Sequence, residues 1–370
     1  MTVVESSVDL EERITHLQQL RVLTEQVLTG RRLRERPEPA PPTYDREAWK
    51  RLEDAGLTRL TGREAVGGAG ASWQEAGVLL SSIGRTAADV PVAEHDLLAG
   101  WRLDRARMSP VPGAVYSAAG VDALGNVPNV PWGRCVDRIA LFGTHAGVRY
   151  IADVDAQAVR WNPAENYAGE HRDCGEVGAI LSTGKALGAR EGESLAMEFS
   201  RRGAISRGAM IAGAAERVLE LVIDHAESRE QFGRPISRFQ AVQALIADIG
   251  AEAALIRAAS DAEVRIADVA PLTSTVAGFA VAAATSCVGH ASSVVVRNAH
   301  QVLGAMGYTQ EHALPRFTNR ILSWRSEFGS LRDWDREVLK YAGDENRSLW
   351  SYLVDGPGTK ADDNTRTEKA

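Results

Sequence analysis

Cysteine is scarce in this 370-residue chain: Cys135, Cys174 and Cys287 are the whole supply. Three thiols cannot all pair within one chain, and their spacing fits no metal motif. A disulfide scaffold is therefore excluded, and a reduced, cytoplasmic setting is expected. Basic residues are outnumbered 42 to 49, for a net charge of -7. A nucleic-acid groove needs the opposite balance, so no nucleic-acid partner is expected. The N-terminus, "MTVVESSVDLEERITHL", lacks the basic start and apolar run of a secretory signal. The glycine-rich "GGAG" at residues 67–70 has no apolar strand before it and no Lys-Ser or Lys-Thr after it. It reads as a flexible loop entering a helix, not a phosphate loop. Residues 269–296 carry no charge unless His290 is protonated, yet they are mostly Ala, Ser, Thr, Gly and Val. That stretch is expected to be a buried bundle helix, not a membrane span.

What is present divides the chain into textures. Residues 9–30 place Leu10, Ile14, Leu17, Leu20 and Val22 near a helical period. The proline-dense residues 37–42 cannot be helical and read as a linker. A helix restarts after Asp45, an expected N-cap, and stops at Gly56. Between residues 111 and 199 short apolar runs such as "RIALFGTHAGVRYIADV" and "SLAMEFS" are split by Gly, Asn, Pro and Asp, an antiparallel β pattern. Beyond Arg201 long amphipathic stretches return. Ile211, Ala215, Val218, Val222 and Ala226 share one face, and Val242, Leu245, Ile249, Ala253 and Ile256 another. Phe279, Ala283, Ala291, Val294 and Val302 are compatible with a third. The fold class expected is α+β, mostly α. It comprises an N-terminal helical domain (1–110), a short antiparallel β domain (111–199), a C-terminal four-helix bundle (200–355) and a disordered tail (356–370).

The connection "SREQFGRPISRFQ" between two of those helices is unusually rich for a polar turn. It carries Arg229, then Phe232-Gly233, then Phe239-Gln240. With "HQVLGAMGYTQEHALPRF", which starts at His300, it resembles two spaced signatures of the acyl-CoA dehydrogenase family: Arg-x-x-Phe-Gly followed by Gln, and Gln-x-x-Gly-Gly-x-Gly-Tyr-Thr. The resemblance runs from about Tyr44 to about Tyr341, and departs where the family often has Gly and this chain has Ala305. It implies FAD bound across a dimer interface, with the ADP end of the flavin held by the neighbouring subunit through these segments. Arg229 then forks onto the pyrophosphate, Phe232 covers a ring or ribose face, and Gly233 turns the chain. Gln240 and Gln301 meet polar edges, and Gly304 lets the backbone approach. Without the resemblance the readings are blander: Arg229 as a cation at a helix C-terminus, Phe232 as core, and the glutamines as partners of buried backbone groups.

Two family features are missing. The β region "AVYSAAGVDALGNVPNVPWGRCVDRIALFG" contains neither the family's Thr-Glu-Pro-Gly-x-Gly-Ser-Asp run nor its Trp-Ile-Thr-Asn run, which hold the flavin ring. Trp132 and Trp161 are the tryptophans there. The catalytic glutamate is missing too: the two family positions for it fall on Phe328 and Gly203. Glu327 is one residue off, a weak candidate base whose blander role is a surface or interface carboxylate near Arg325. The resemblance therefore implies a degenerate subunit of an α2β2 acyl-CoA dehydrogenase, a type used in actinobacterial steroid side-chain degradation. Such a subunit would complete a partner's FAD site for α,β-desaturation of an acyl-CoA, with an electron-transfer flavoprotein as acceptor. A homotetramer using Glu327 and a flavin-free helical scaffold are the alternatives.

Overall fold

The structure, a computed structural model, describes residues 7–29, 44–342 and 350. The proline-dense linker at 37–42 and the tail at 356–370 lie outside the described residues. Helix α1 (Ser7–Thr29) packs on α3 (Trp73–Thr86), and α2 (Arg46–Asp54) packs on α1. Their starts follow local chemistry. The Asp45 carboxylate accepts the amides of Glu47 and Ala48, and Ser72 with Glu75 forms a capping box at α3. The loop through residues 67–70 leads into that box, as expected. A fully buried π-helical segment, Ala93–Gly100, runs on into α4 (Trp101–Arg105).

The middle of the chain forms two small sheets. One has the order β1 (Tyr116–Gly120), β3 (Arg138–His145), β4 (Val148–Asp155), β7 (Lys185–Leu187). The other has the order β2 (Asn126–Pro131), β6 (Arg172–Glu176), β5 (Arg160–Asn162). All pairings are antiparallel except one: β1 runs parallel to β3, with Tyr116 opposite Arg138. The sequence reading of a wholly antiparallel region is corrected there, because β2 intervenes in the chain but pairs in the other sheet.

The 40-residue α5 (Ala189–Ser228) begins inside the stretch read as β, and "SLAMEFS" lies within it. Leu195 and Glu198 are both buried, the three-residue spacing of a helix rather than the alternation of a strand. Helices α5, α6 (Gln240–Val269) and α7 (Thr275–Leu303) pack on one another, flanked by α8 (Leu314–Trp324) and α9 (Leu331–Ala342). The expected face of α5 is buried throughout. The α6 face is half-buried at Val242 and Leu245 and buried from Ile249 onward. On α7 the buried stripe runs through Ala277, Val281, Ala284, Val288, Ala291, Val295 and Val302, which leaves Phe279, Ala283 and Val294 half-buried at its margin. Among the described residues one helix, Thr275–Tyr308, is long and apolar enough to cross a membrane, and half of its most apolar 18-residue stretch is buried in the bundle.

Candidate functional site

Helices α5 and α7 run in one direction and α6 returns between them. The C-termini of α5 and α7 and the N-terminus of α6 therefore share one end of the bundle. At that end β8 (Glu230–Gln231) and β9 (Arg234–Pro235) form a hairpin closed by Phe232 and Gly233, both at positive φ (54° and 77°). This is the two-residue hairpin geometry whose twist suits the flanking strands. A glycine enters it freely, but a phenylalanine does so rarely. Phe232 is 92% exposed, so it fills no core. Its ring meets that of Phe239 edge-on at 6.0 Å, and the Arg234 guanidinium lies 4.3 Å from the Phe239 centroid.

Arg229, Gln240, Gln301 and Gly304 are exposed at the same end. The glutamines are thus not satisfying buried backbone groups. Gly304 ends α7 with φ 59° and ψ -140°, its amide donating to the His300 carbonyl, and the space where a Cβ would stand is open. Tyr308, 73% exposed, stacks on His300 at 4.3 Å, and the His225 and His312 rings stand 6.1 Å apart across the α5 end and the segment after α7. The five residues named from sequence therefore gather on one open surface that offers a fork of N–H donors, two amides and exposed rings.

The expected base positions meet elsewhere. A Cβ on Gly203 of α5 would collide with the Phe328 ring. Phe328 has φ 60°, accepts the Ser200 hydroxyl at its carbonyl (2.8 Å) and meets Phe199 edge-on at 5.5 Å. An aromatic plug thus stands at the two positions, 328 and 203, either of which was expected to carry the family's single catalytic glutamate. Glu327 beside it lines a cavity of about 430 Å³ together with Ala118, Ala119, Asn166 and Arg172. Of the surface or interface role expected near Arg325, the surface half does not hold, since its side chain is only 16% exposed. One oxygen accepts from Arg172 Nε (2.7 Å) and Asn166 (3.3 Å), the other from Arg207 Nε (2.7 Å). Arg325 donates instead to Ser293. Both oxygens are engaged by guanidinium groups, so taking up a substrate proton would compete with two ion pairs.

Those pairs belong to a longer chain of alternating charges that the sequence did not disclose. Arg207 reaches Glu94 (2.5 Å) in the π segment; Arg172 reaches Glu170 (3.1 Å); Glu170 accepts from Arg320 (3.1 Å) and Trp324 (2.9 Å); and Arg320 reaches Asp89 (2.5 Å). Burial by itself would raise the pKa of Glu170, but Arg172 and Arg320 outweigh it and hold the carboxyl down to about 2. Burial likewise works against the charge of Arg207, and Glu94 and Glu327 more than restore it, raising its pKa.

The end of β1, where the family's flavin-ring run would lie, offers little to an isoalloxazine. Ala118 and Ala119 carry no hydroxyl, and Ser117 spends its hydroxyl on the Pro131 carbonyl (2.5 Å). Trp132 is buried, and Trp161 is half-buried with its N–H on the Ala156 carbonyl (2.8 Å).

Residues 17–106 match the description "Acyl-CoA dehydrogenase, N-terminal domain" and residues 190–331 match "Acyl-CoA dehydrogenase, C-terminal domain". Acyl-CoA dehydrogenase FadE27 of Mycobacterium tuberculosis is 30% identical over 236 residues, 55% of this chain and 62% of that protein. The chain thus spans less than two thirds of that relative. Acyl-CoA dehydrogenase IpdE2 of the same organism is 29% identical over 310 residues, 80% and 86% of the two chains. Among solved structures, the ChsE4–ChsE5 complex from Mycobacterium tuberculosis superposes with a TM-score of 0.73 at 21% identity, covering 89% of this chain and 97% of the other. A Tcur3481–Tcur3483 steroid ACAD variant gives 0.75 at 21%, covering 88% and 97%. With both domain descriptions matched in order along one fold, the chain belongs to the acyl-CoA dehydrogenase family.

Proposed function

We propose that this chain is one subunit of a hetero-oligomeric FAD-dependent acyl-CoA dehydrogenase catalysing α,β-desaturation of an acyl-CoA thioester. In this reading it completes the ADP end of a flavin whose ring lies on an unlike partner subunit. The observation that carries the proposal is the plug of Phe328 on Gly203, set against the open donor surface at the bundle end. The residues fit one end of FAD and not the other. Arg229 offers a planar fork to a diphosphate, Gln240 and Gln301 offer amides to polar edges, Phe232 covers an apolar face, and Gly304 leaves room for backbone approach. The alanines at the end of β1 and the engaged Ser117 do not fit the ring. Bound FAD supplies the hydride acceptor for the substrate's β-carbon; the partner would supply the base, and an electron-transfer flavoprotein would take the electrons. Two solved structures of the same fold are the ChsE4–ChsE5 complex and a Tcur3481–Tcur3483 steroid ACAD. A steroid acyl-CoA is accordingly the substrate class we propose, in the cytoplasm.

The test is the flavin-to-chain ratio. Expressed alone, the chain should purify without flavin colour. Co-expressed with its unlike partner, it should give a yellow complex with fewer flavins than chains. One FAD per chain in the protein expressed alone would favour a self-sufficient homotetramer, and no flavin in either preparation would favour a flavin-free scaffold.

A further inference from the structure

A second cleft, of about 770 Å³, opens between the loop after α2, the π segment with α4, the first half of α5 and the end of α6. It belongs neither to the bundle-end surface nor to the plugged cavity. Arg202, which lines it, and Arg229 are 27 positions apart, roughly 40 Å along the helix at 1.5 Å per residue.

Asp96 lines the cleft and is only 3% exposed. Its Oδ2 accepts the Thr61 amide (2.9 Å) and hydroxyl (3.0 Å), while Oδ1 has no hydrogen-bond partner. That oxygen is shut off from solvent, and leaving it without a donor is costly, so a small shift of the cleft wall that let a bound molecule's donor reach it would be repaid. Beside it the Arg202 guanidinium lies 4.5 Å from the Trp101 ring centroid and 5.2 Å from that of Trp73, with Nε on Glu198 (3.3 Å). At the rim Arg63 pairs with Asp104 (3.2 Å). Arg105 and Arg107 also line the cleft; they are exposed and have no carboxylate partner among the described residues. Arg107 stands at φ 53° just past the end of α4, where glycine is usual. The cleft thus has a deep acceptor and a cationic rim.

We propose that this cleft binds a small phosphate-bearing molecule that also presents an amino or hydroxyl donor, with the donor on Asp96 Oδ1 and the phosphate on Arg105 and Arg107. Inorganic phosphate supplies one half of that pattern, adenosine the other, and AMP both. The cleft volume is within the range of small-molecule sites.

Calorimetric titration of the full chain tests it, with AMP, adenosine and inorganic phosphate as probes. AMP should bind more tightly than either fragment. Arg105→Ala and Arg107→Ala should each weaken AMP about tenfold, the loss of one charge-assisted contact, and leave adenosine unchanged. Asp96→Asn should bring AMP down to the affinity of phosphate; should that variant misfold, the two exposed arginines carry the test. Arg229→Ala should leave AMP binding intact. No AMP heat at millimolar concentration, AMP no tighter than phosphate, or indifference to both rim variants would overturn the proposal. So would AMP binding lost in Arg229→Ala and kept in the rim variants, which would assign it to the bundle-end surface.

Discussion

A side chain added at residue 203 has nowhere to go, because the ring of Phe328 already stands there. Gly203→Ala should therefore cost about 1–3 kcal/mol, as overpacking does. The double variant with Phe328→Ala should recover part of that loss, since the added methyl then enters space the ring has left. Urea denaturation of the two single variants and the double one checks this, and strict additivity would show that the two sites do not share space. At the other residue cluster the expected effect is on ligand, not fold. In the assembled complex Arg229→Ala should weaken FAD by at least about tenfold, since a charge-assisted contact contributes roughly 1.5–3 kcal/mol. Arg229→Lys should recover only part, for want of the planar fork. Equal FAD affinity with a lowered Tm would mark a helix-end role instead. The spacing of Arg229, Phe232, Gln301 and Gly304 was readable in sequence because both segments keep the family's order. The missing glutamate at 203 and 328 was countable from the same two segments. That one absence fills the other was not, because ring placement depends on a positive φ at Phe328 that no local residue announces.

Elements were legible where a cap or a long period marks them, as at Asp45 and along α5 from Ile211 to Ala226. They were not where a short run admits two periods: "SLAMEFS" fits a strand as readily as the early part of α5. The parallel pairing of β1 with β3 escaped for another reason, since strand order is set by how two sheets share a chain, not by either strand's residues. The bundle also hides a carboxyl between its helices. Glu263 of α6 is fully buried against Gly208 of α5 and accepts the Thr285 hydroxyl of α7 (2.8 Å). Burial raises its pKa from 4.5 to about 8, and the Thr285 bond offsets this only partly. Across that window the folded state holds a proton the unfolded chain has released, so the group's contribution to stability falls as pH rises and is fully lost above about 8. Glu263→Gln cannot ionise. Its Tm relative to wild type should therefore rise from about pH 5 and level off above about pH 8; parallel Tm curves would show that Glu263 does not titrate in this window.

Across the whole molecule, the charges from Asp89 through Arg320, Glu170, Arg172, Glu327 and Arg207 to Glu94 tie the N-terminal helices, the β region and the bundle together. Such a chain is weak evidence for net stability, since desolvation opposes each pair, but removing one member strands its partners. Glu327→Gln leaves Arg172 and Arg207 each short of a carboxylate and should lower stability by about 3 kcal/mol. In the assembled complex its turnover should change far less than the ~10²-fold expected for a lost base. A rate loss of that size at unchanged stability would make Glu327 the base. None of this network could be read in advance: its members are scattered between residues 89 and 327, and only the folded arrangement makes them neighbours.

The plug of Phe328 on Gly203 also bears on the lineage of this chain. A glutamate placed at 203 would meet the ring and lose stability before any catalysis could reward it. One placed at 328 would first have to give up the aromatic packing with Phe199. Each such change starts from a loss of packing, so in the proposed reading the absence of a base at these two positions is held in place by the packing itself, as a ratchet holds a wheel.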